Sequence, residues 1–212
     1  MTPRIPKRAA GCPAHGGLVV PEVSARHTDD QRPPLFGTNH PGRVNACLTE
    51  RRCGVCGTPL PTRAGGKYTL LLRPADFGRG YSAEPALHTS DCAPYAIEAC
   101  PILNGTRTTY RRGRRDLEAE RCGDPACDCQ RWTNSADNAE RAGAAVSPFY
   151  AAVYRAEDYR LHWGDVDGRR NVLLGVAVAG VEPLSIRLVT AGEPSFLDLT
   201  RALILGLPLD DH

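Results

Sequence analysis

Two short motifs with metal-ligand spacing constrain this sequence more than any other feature. Cys53 and Cys56 form a C-x2-C pair, and Gly57 follows them. Downstream, His88 and Cys92 form an H-x3-C pair, the spacing of neighbours on one helix face. A C-x2-C pair is typical of a zinc knuckle, a tight turn that directs two sulfurs at one ion. Since three thiolates and an imidazole complete a tetrahedral structural site, we predict that these four residues bind one zinc ion.

Cys100 competes with Cys92 for the last ligand position. If residues 92–100 form one helix, the two Cα atoms are separated by about 12 Å, so one ion cannot bind both. We choose Cys92 because it would share a helix face with His88, and we assign Cys100 to the core.

A second cluster supplies three thiols close together in the chain: Cys122, Cys127 and Cys129. It needs a fourth ligand to close a zinc site. Cys12 and His15, separated by two residues, are the natural candidates, and Cys47 and Cys100 are alternatives. A second zinc ion is therefore an open alternative, against a reduced or redox-sensitive cysteine loop. The predicted cofactor is Zn²⁺, with one or two ions.

Composition favours an intracellular, loop-rich protein. The 212 residues are 42% hydrophobic, with 21 Gly and 18 Pro, and the net charge of +2 gives no global attraction to nucleic acid. No secretory signal and no membrane-length apolar run is evident, so we expect the bacterial cytoplasm, or the host cytoplasm if a phage encodes the chain. In that compartment nine cysteines indicate metal binding more than disulfides.

The first half predicts a treble-clef-like zinc module within an α+β fold. A knuckle, a strand pair and a helix carrying the last ligands follow one another, with Ser90 or Asp91 as the helix cap. We expect a mobile tail at residues 1–11, a cysteine-rich zinc module at 12–133 and a linker at 134–147.

The last part of the chain predicts a small antiparallel β-meander with a covering C-terminal helix, over residues 148–212. Tyr159, Leu161 and Trp163 alternate with polar residues, as in a half-buried strand. Asp167-Gly168 is typical of a hairpin turn. Such strand edges and the helix offer surface for a protein partner.

One basic run has an aromatic residue within it: Arg107, Tyr110, Arg111, Arg112, Arg114 and Arg115. Such a run is able to bind a nucleic-acid backbone while the tyrosine stacks on a base. The competing interpretation is a solvated charged face, because Asp116, Glu118 and Glu120 follow at once and would pair with the arginines along a helix.

No catalytic residues are predicted. The chain contains no nucleophile elbow, phosphate-binding loop or dinucleotide fingerprint. A treble-clef nuclease would need a histidine base and a carboxylate or asparagine near a catalytic metal. With His88 assigned to zinc, the remaining histidines lie in no obvious catalytic position.

The stretch Glu50–Leu60, with Cys53-Gly54-Val55-Cys56 at its centre, resembles a family of uncharacterised cysteine-rich proteins from actinobacteria and their phages. Residues 85–101 and the Cys12-Pro13 segment also resemble this family. The family pattern separates its His and Cys by two residues, whereas three separate His88 from Cys92. The resemblance covers about the first half and implies an actinobacterial or actinophage origin, which agrees with the 24 Arg against 2 Lys.

These features together predict a non-enzymatic zinc-binding regulatory or adaptor protein that acts through a protein partner. If a phage encodes it, the expected partner is a DNA-processing enzyme such as a recombinase. The first alternative is direct nucleic-acid binding through residues 107–115, and the second is a metal-dependent nuclease.

Overall fold

The structure is a computed structural model that describes residues 3–29, 32–111, 116–132 and 142–190. Its helices are α1 (Pro41–Thr49), α2 (Pro74–Arg79) and α3 (Cys92–Ala99). Its strands are β1 (Ala14–His15), β2 (Leu18–Val19), β3 (Ser24–Ala25), β4 (Leu35–Asn39), β5 (Lys67–Leu72), β6 (Tyr81–Ser82), β7 (Leu87–His88), β8 (Tyr150–Arg155), β9 (Leu161–Val166), β10 (Arg169–Ala177) and β11 (Ser185–Leu188). Short 3-10 helices occupy Lys7–Ala9, Asp128–Arg131 and Ala156–Asp158.

The strands form small antiparallel sheets, and the predicted α+β class is confirmed at this level. The largest sheet has the order β11-β8-β5-β7, and a second has the order β6-β10-β9. Two-stranded ladders join β1 to β2 and β3 to β4. Within the described ranges no helix has the length and apolar character needed to cross a membrane.

The ladder between β5 and β8 forms the centre of the core. It runs in continuous register from Lys67↔Arg155 to Leu72↔Tyr150. Alternate positions of β5 are fully buried, and Tyr68 stacks on Tyr154 with a centroid distance of 5.5 Å. Hydrophobic burial along this ladder contributes to the stability of the described chain.

The C-terminal strands do not form the expected meander. The hairpin turn at Asp167-Gly168 is present, with positive φ at both residues, and joins β9 to β10. However, β11 pairs with β8 and not with β10, while the other edge of β10 pairs with β6. The reason is that β8 pairs with the edge of β5 that β7 leaves free. As a result, each of the two larger sheets contains strands from both 12–133 and 148–212.

The β3–β4 ladder lies between the first strands and α1. Ala25 pairs with Leu35, and both side chains are buried. The predicted covering helix lies outside the described residues, as does 134–141 of the predicted linker.

Candidate metal centres

The first centre begins with a tight knuckle between Cys53 and Cys56. The Gly57 amide donates to the Cys53 carbonyl at 2.9 Å, and the Cys53 amide donates to the Thr58 carbonyl at 2.9 Å. Gly57 has a φ of 68°, a left-handed conformation that costs glycine little. The turn places both sulfurs on one side of the chain, as the C-x2-C spacing suggests.

The other two residues of this centre come from a strand and a helix start. His88 is the last residue of β7 and pairs with Tyr68 of β5. Cys92 is the first residue of α3, whose N-cap Asp91 accepts a hydrogen bond from the Cys92 amide at 2.8 Å. The expectation that His88 and Cys92 share a helix face is therefore wrong, because the helix begins only after the intervening turn.

The ligand atoms of these four residues all lie within 4.8 Å of one another. Their side chains are buried, with relative exposures of 0% for Cys53, 7% for Cys56, 3% for His88 and 0% for Cys92. Cys100 is the C-cap of α3 and is not part of this cluster. The cluster has the ligand types and the proximity to hold one metal ion.

Hydrogen bonding orients the His88 ring for ligation through Nδ1. His88 Nε2 lies 3.1 Å from the Pro59 carbonyl oxygen, and a carbonyl oxygen only accepts, so Nε2 carries the proton and donates. Nδ1 then points into the cluster, 3.6 Å from Cys56 Sγ. A metal-bound histidine characteristically donates its other N–H to a carbonyl or carboxylate in this way.

Hydrogen bonds within the cluster shift the pKa values of Cys56, His88 and Cys92. Hydrogen bonds from Cys53 and then Cys92 lower the pKa of the Cys56 thiol far below its ordinary value. Hydrogen bonds with Cys53 and then Cys56 raise the pKa of His88 to about 10. The same two contacts raise the pKa of the Cys92 thiol. Thiolate charge in a buried cluster is stabilised by a bound cation, which replaces the shared protons.

The second centre gathers the three predicted cysteines around a histidine that the sequence did not suggest. His27, Cys122, Cys127 and Cys129 place one ligand atom each within 4.8 Å of the others. Three of these residues are buried, and Cys122 is partly buried. This set also has the ligand types and the proximity to hold a metal ion.

The residues first considered as fourth ligands lie elsewhere. Cys12 donates from Sγ to the Cys56 carbonyl at 3.6 Å, beside the first centre, and burial raises its pKa. His15 is exposed in β1. Burial raises the pKa of the Cys47 thiol to about 12, so Cys47 is a protonated core residue. The fourth position of the second cluster therefore belongs to His27 and to none of Cys12, His15, Cys47 or Cys100.

Electrostatics of the second centre favours a thiolate at Cys127. Burial opposes the charged form, but hydrogen bonds from the backbone at Cys129 and Thr28 and from His27 outweigh it and lower the pKa of Cys127 to about 6. Burial raises the pKa of Cys129 to about 11, and contacts with the Cys122 and Cys127 side chains act in the same direction.

The structure describes only part of the basic run. Arg107 and Arg111 are exposed and Tyr110 is partly buried, whereas Arg112, Arg114 and Arg115 lie outside the described residues. The Tyr110 amide donates to the Ala144 carbonyl at 2.9 Å, so the start of this run lies against residues 143–146.

No protein-family model, no curated protein and no solved structure matches the chain.

Proposed function

We propose that this chain is a non-enzymatic zinc-binding protein with a regulatory or adaptor role, in which one structural Zn²⁺ at Cys53, Cys56, His88 and Cys92 organises the fold. The observation that carries the proposal is the buried Cys3His cluster, with His88 Nε2 held on the Pro59 carbonyl. Thiolate and imidazole ligands favour Zn²⁺ over Mg²⁺ or Ca²⁺, which take oxygen ligands.

A structural role for the ion follows from the number of protein ligands. Catalytic zinc keeps a coordination position for water or substrate and has three protein ligands. Four protein side chains would fill a tetrahedral shell here, so neither water nor substrate would reach the ion. This argues for a structural ion and against catalysis by a metal at this centre.

A treble-clef-like arrangement is the geometry that we propose for this first centre. Support comes from the order of its parts: the knuckle at Cys53–Cys56, the paired strands β5 and β7, and α3 beginning at Cys92. We further propose that the chain belongs with the cysteine-rich proteins of actinobacteria and actinophages that it resembles at Glu50–Leu60.

Metal removal tests the structural role. Structural zinc in zinc-finger peptides contributes about 10–16 kcal/mol of apparent binding free energy. A whole domain is stable by only about 5–15 kcal/mol. We therefore expect purified, reduced protein to contain stoichiometric zinc by mass spectrometry and to unfold cooperatively in strong chelator. Protein that lacks zinc and keeps its melting temperature in chelator would refute the proposal.

The adaptor role draws its support from two exposed apolar side chains on β9. Trp163 is 48% exposed and Val166 is 40% exposed, and they are the large apolar side chains classed as exposed among the described residues. Within those residues β9 lies at the outer end of its sheet, where a partner strand is able to pair. The partner we propose is a protein with an apolar strand or strip, such as a DNA-processing enzyme.

A pull-down with matched variants tests the adaptor role. Trp163→Ser with Val166→Ser should abolish capture of a partner that the wild-type chain retains from its host. Arg169→Ser, an exposed change on the neighbouring strand β10, should leave capture intact. Equal capture by all three proteins would remove β9 as the docking strand, and no specific capture by the wild type would remove the adaptor role.

A further inference from the structure

His27 lies next to a cysteine cluster that is distant from it in sequence. His27 follows β3, whereas Cys127 is 100 residues further along the chain, and Cys127 Sγ lies 3.7 Å from His27 Nδ1. Cys122 Sγ and Cys129 Sγ lie 3.4 Å apart. The four ligand atoms thus come from two separate parts of the described chain and meet within 4.8 Å.

Local hydrogen bonds shape the cysteine loop around this point. The Cys122 amide donates to Cys129 Sγ at 3.3 Å, and Gln130 Nε2 donates to the Cys122 carbonyl at 2.8 Å. Asp124 Oδ1 accepts from the Ala126 amide at 2.8 Å and so fixes the turn between the first two cysteines. Amide-to-sulfur and side-chain-to-backbone bonds of this kind orient thiolate ligands around a metal.

The apolar core around the cluster is small. Apart from the cysteines, its fully buried members are Ala25, Leu35, Leu117 and Trp132. Trp132 contributes most, and its ring centroid lies 4.9 Å from that of His27. Four apolar side chains bury little area against the entropy of ordering residues 116–132, so an additional cross-link is needed to hold this segment on β3 and β4.

We infer that His27, Cys122, Cys127 and Cys129 form a second, independent Zn²⁺ site that fastens residues 116–132 to the β3–β4 ladder. Three thiolates and one imidazole suit the same ion as the first centre, and four protein ligands again leave no position for substrate. The second ion is therefore structural as well, and its role is to order the segment that follows the basic run at 107–115.

The two tryptophans allow the second site to be followed separately. Trp132 is buried against His27, whereas Trp163 is exposed on β9. In a Trp163→Phe background, Trp132 is the only tryptophan of the 212 residues. Metal-free, reduced protein of this background is titrated with Zn²⁺ alone, and we expect two equivalents to bind, one of which shifts Trp132 emission to shorter wavelength.

Ligand variants in the Trp163→Phe background test whether the Trp132 emission shift comes from zinc binding at the second site. His27→Ala and Cys127→Ser should each bind one ion fewer and lose the Trp132 shift, while keeping the far-ultraviolet circular dichroism of the remaining fold. His15→Ala and Cys12→Ser, at the positions that sequence spacing favoured, should still bind two ions and show the shift. The inference would be overturned if His27→Ala still bound two ions. It would also be overturned if native mass spectrometry of the fully loaded wild-type chain showed a single ion, a measurement that needs no variant to fold.

Discussion

The His88 side chain shows how one hydrogen bond sets the chemistry of a residue. The Pro59 carbonyl takes the Nε2 proton and leaves Nδ1 directed at the knuckle sulfurs. Pro59 is itself held next to Arg52 by an antiparallel bridge across the knuckle. The turn that presents the cysteines therefore also orients the histidine, so the four side chains are positioned together as a candidate metal site.

Cysteine variants distinguish a candidate ligand from a helix cap at the two ends of α3. We expect Cys92→Ser to lose the zinc of the first centre and to lower the melting temperature strongly, because Cys92 Sγ lies within the cluster. Cys100→Ser should keep this zinc, since Cys100 caps the helix outside the cluster. Zinc content by mass spectrometry, with thermal melts, checks both; loss of zinc in Cys100→Ser alone would show that the ligand is misassigned.

Asp76 is a buried carboxylate that predicts acid sensitivity. Burial alone would raise its pKa, but hydrogen bonds from Arg73 and Arg79 outweigh burial and lower the pKa of Asp76 below its ordinary value. The stabilisation is present above the pKa of an unfolded Asp and is lost as pH falls through the lower folded value.

We expect Asp76→Asn to lower the free energy of unfolding by about 1.5–3 kcal/mol near neutral pH, the contribution of a hydrogen bond to a charged group. The deficit should shrink toward zero in strong acid, where the wild-type carboxylate is protonated. Urea unfolding across a pH series measures this, and a deficit that does not change with pH would contradict the assignment.

At the scale of elements, the sheet of β6, β10 and β9 depends on a glycine. A Cβ placed on Gly175 of β10 would lie 1.8 Å from the Ser82 backbone oxygen of β6. Gly175 also sits at a register irregularity between β10 and β9. The two strands can approach this closely only without a side chain at this position.

Gly175→Ala should therefore disrupt the pairing of β6 with β10. Overpacking a core costs about 1–3 kcal/mol when side chains are able to yield, and here the obstacle is backbone, so we expect at least the upper value. Gly11→Ala is the matched control, because a Cβ there meets nothing within 4 Å. Denaturant unfolding of the two variants gives the comparison, and equal stabilities would contradict the close approach.

At the scale of the whole molecule, early and late parts of the chain fold as one sheet system. β8 contributes fully buried Ala152 and Tyr154 against β5, and the Arg51 guanidinium reaches the Ala156 carbonyl at 2.6 Å. Tyr159 donates from its hydroxyl to the Leu48 carbonyl at 3.0 Å. Strands after residue 148 therefore complete the sheets that residues 12–133 begin.

A truncated chain tests this dependence. We expect the fragment 1–147 to bind zinc weakly and to aggregate, because it exposes the edge of β5 and the side chains that β8 covers. A chain that ends at residue 190 retains every described strand and serves as the control. Size-exclusion chromatography with circular dichroism measures the outcome, and a monomeric, folded 1–147 fragment would show instead that the module is autonomous.

Sequence was most informative where the constraint is local. The knuckle follows from two cysteines and a glycine within five residues, and the β9–β10 hairpin follows from Asp167-Gly168. The predicted helix cap was also near its true place, with Asp91 capping α3. In each case one short motif determines the local backbone conformation, independently of the tertiary contacts that the segment makes.

Long-range pairing escaped prediction for the opposite reason. β8 carries apolar side chains without strict alternation, and nothing near it in sequence indicates that its partner is β5. His27 is likewise an ordinary residue in a polar stretch, and only the fold brings it to Cys127. Spacing favoured Cys12 and His15 because they resemble a ligand pair, but the spacing within a pair carries no information on its distance from ligands far away in the sequence.

The β5–β8 ladder has a consequence for how this protein is made. One edge of β5 pairs with β7, but its other edge has no partner until Tyr150, about 80 residues after Leu72, has been synthesised. At a synthesis rate of about 5–20 residues per second, the bare strand edge persists on the ribosome for about 4–16 s. The knuckle, β7 and α3 emerge well before that, so all four residues of the first centre are synthesised while the central sheet still lacks β8, and we expect tight ion binding only after β8 has paired.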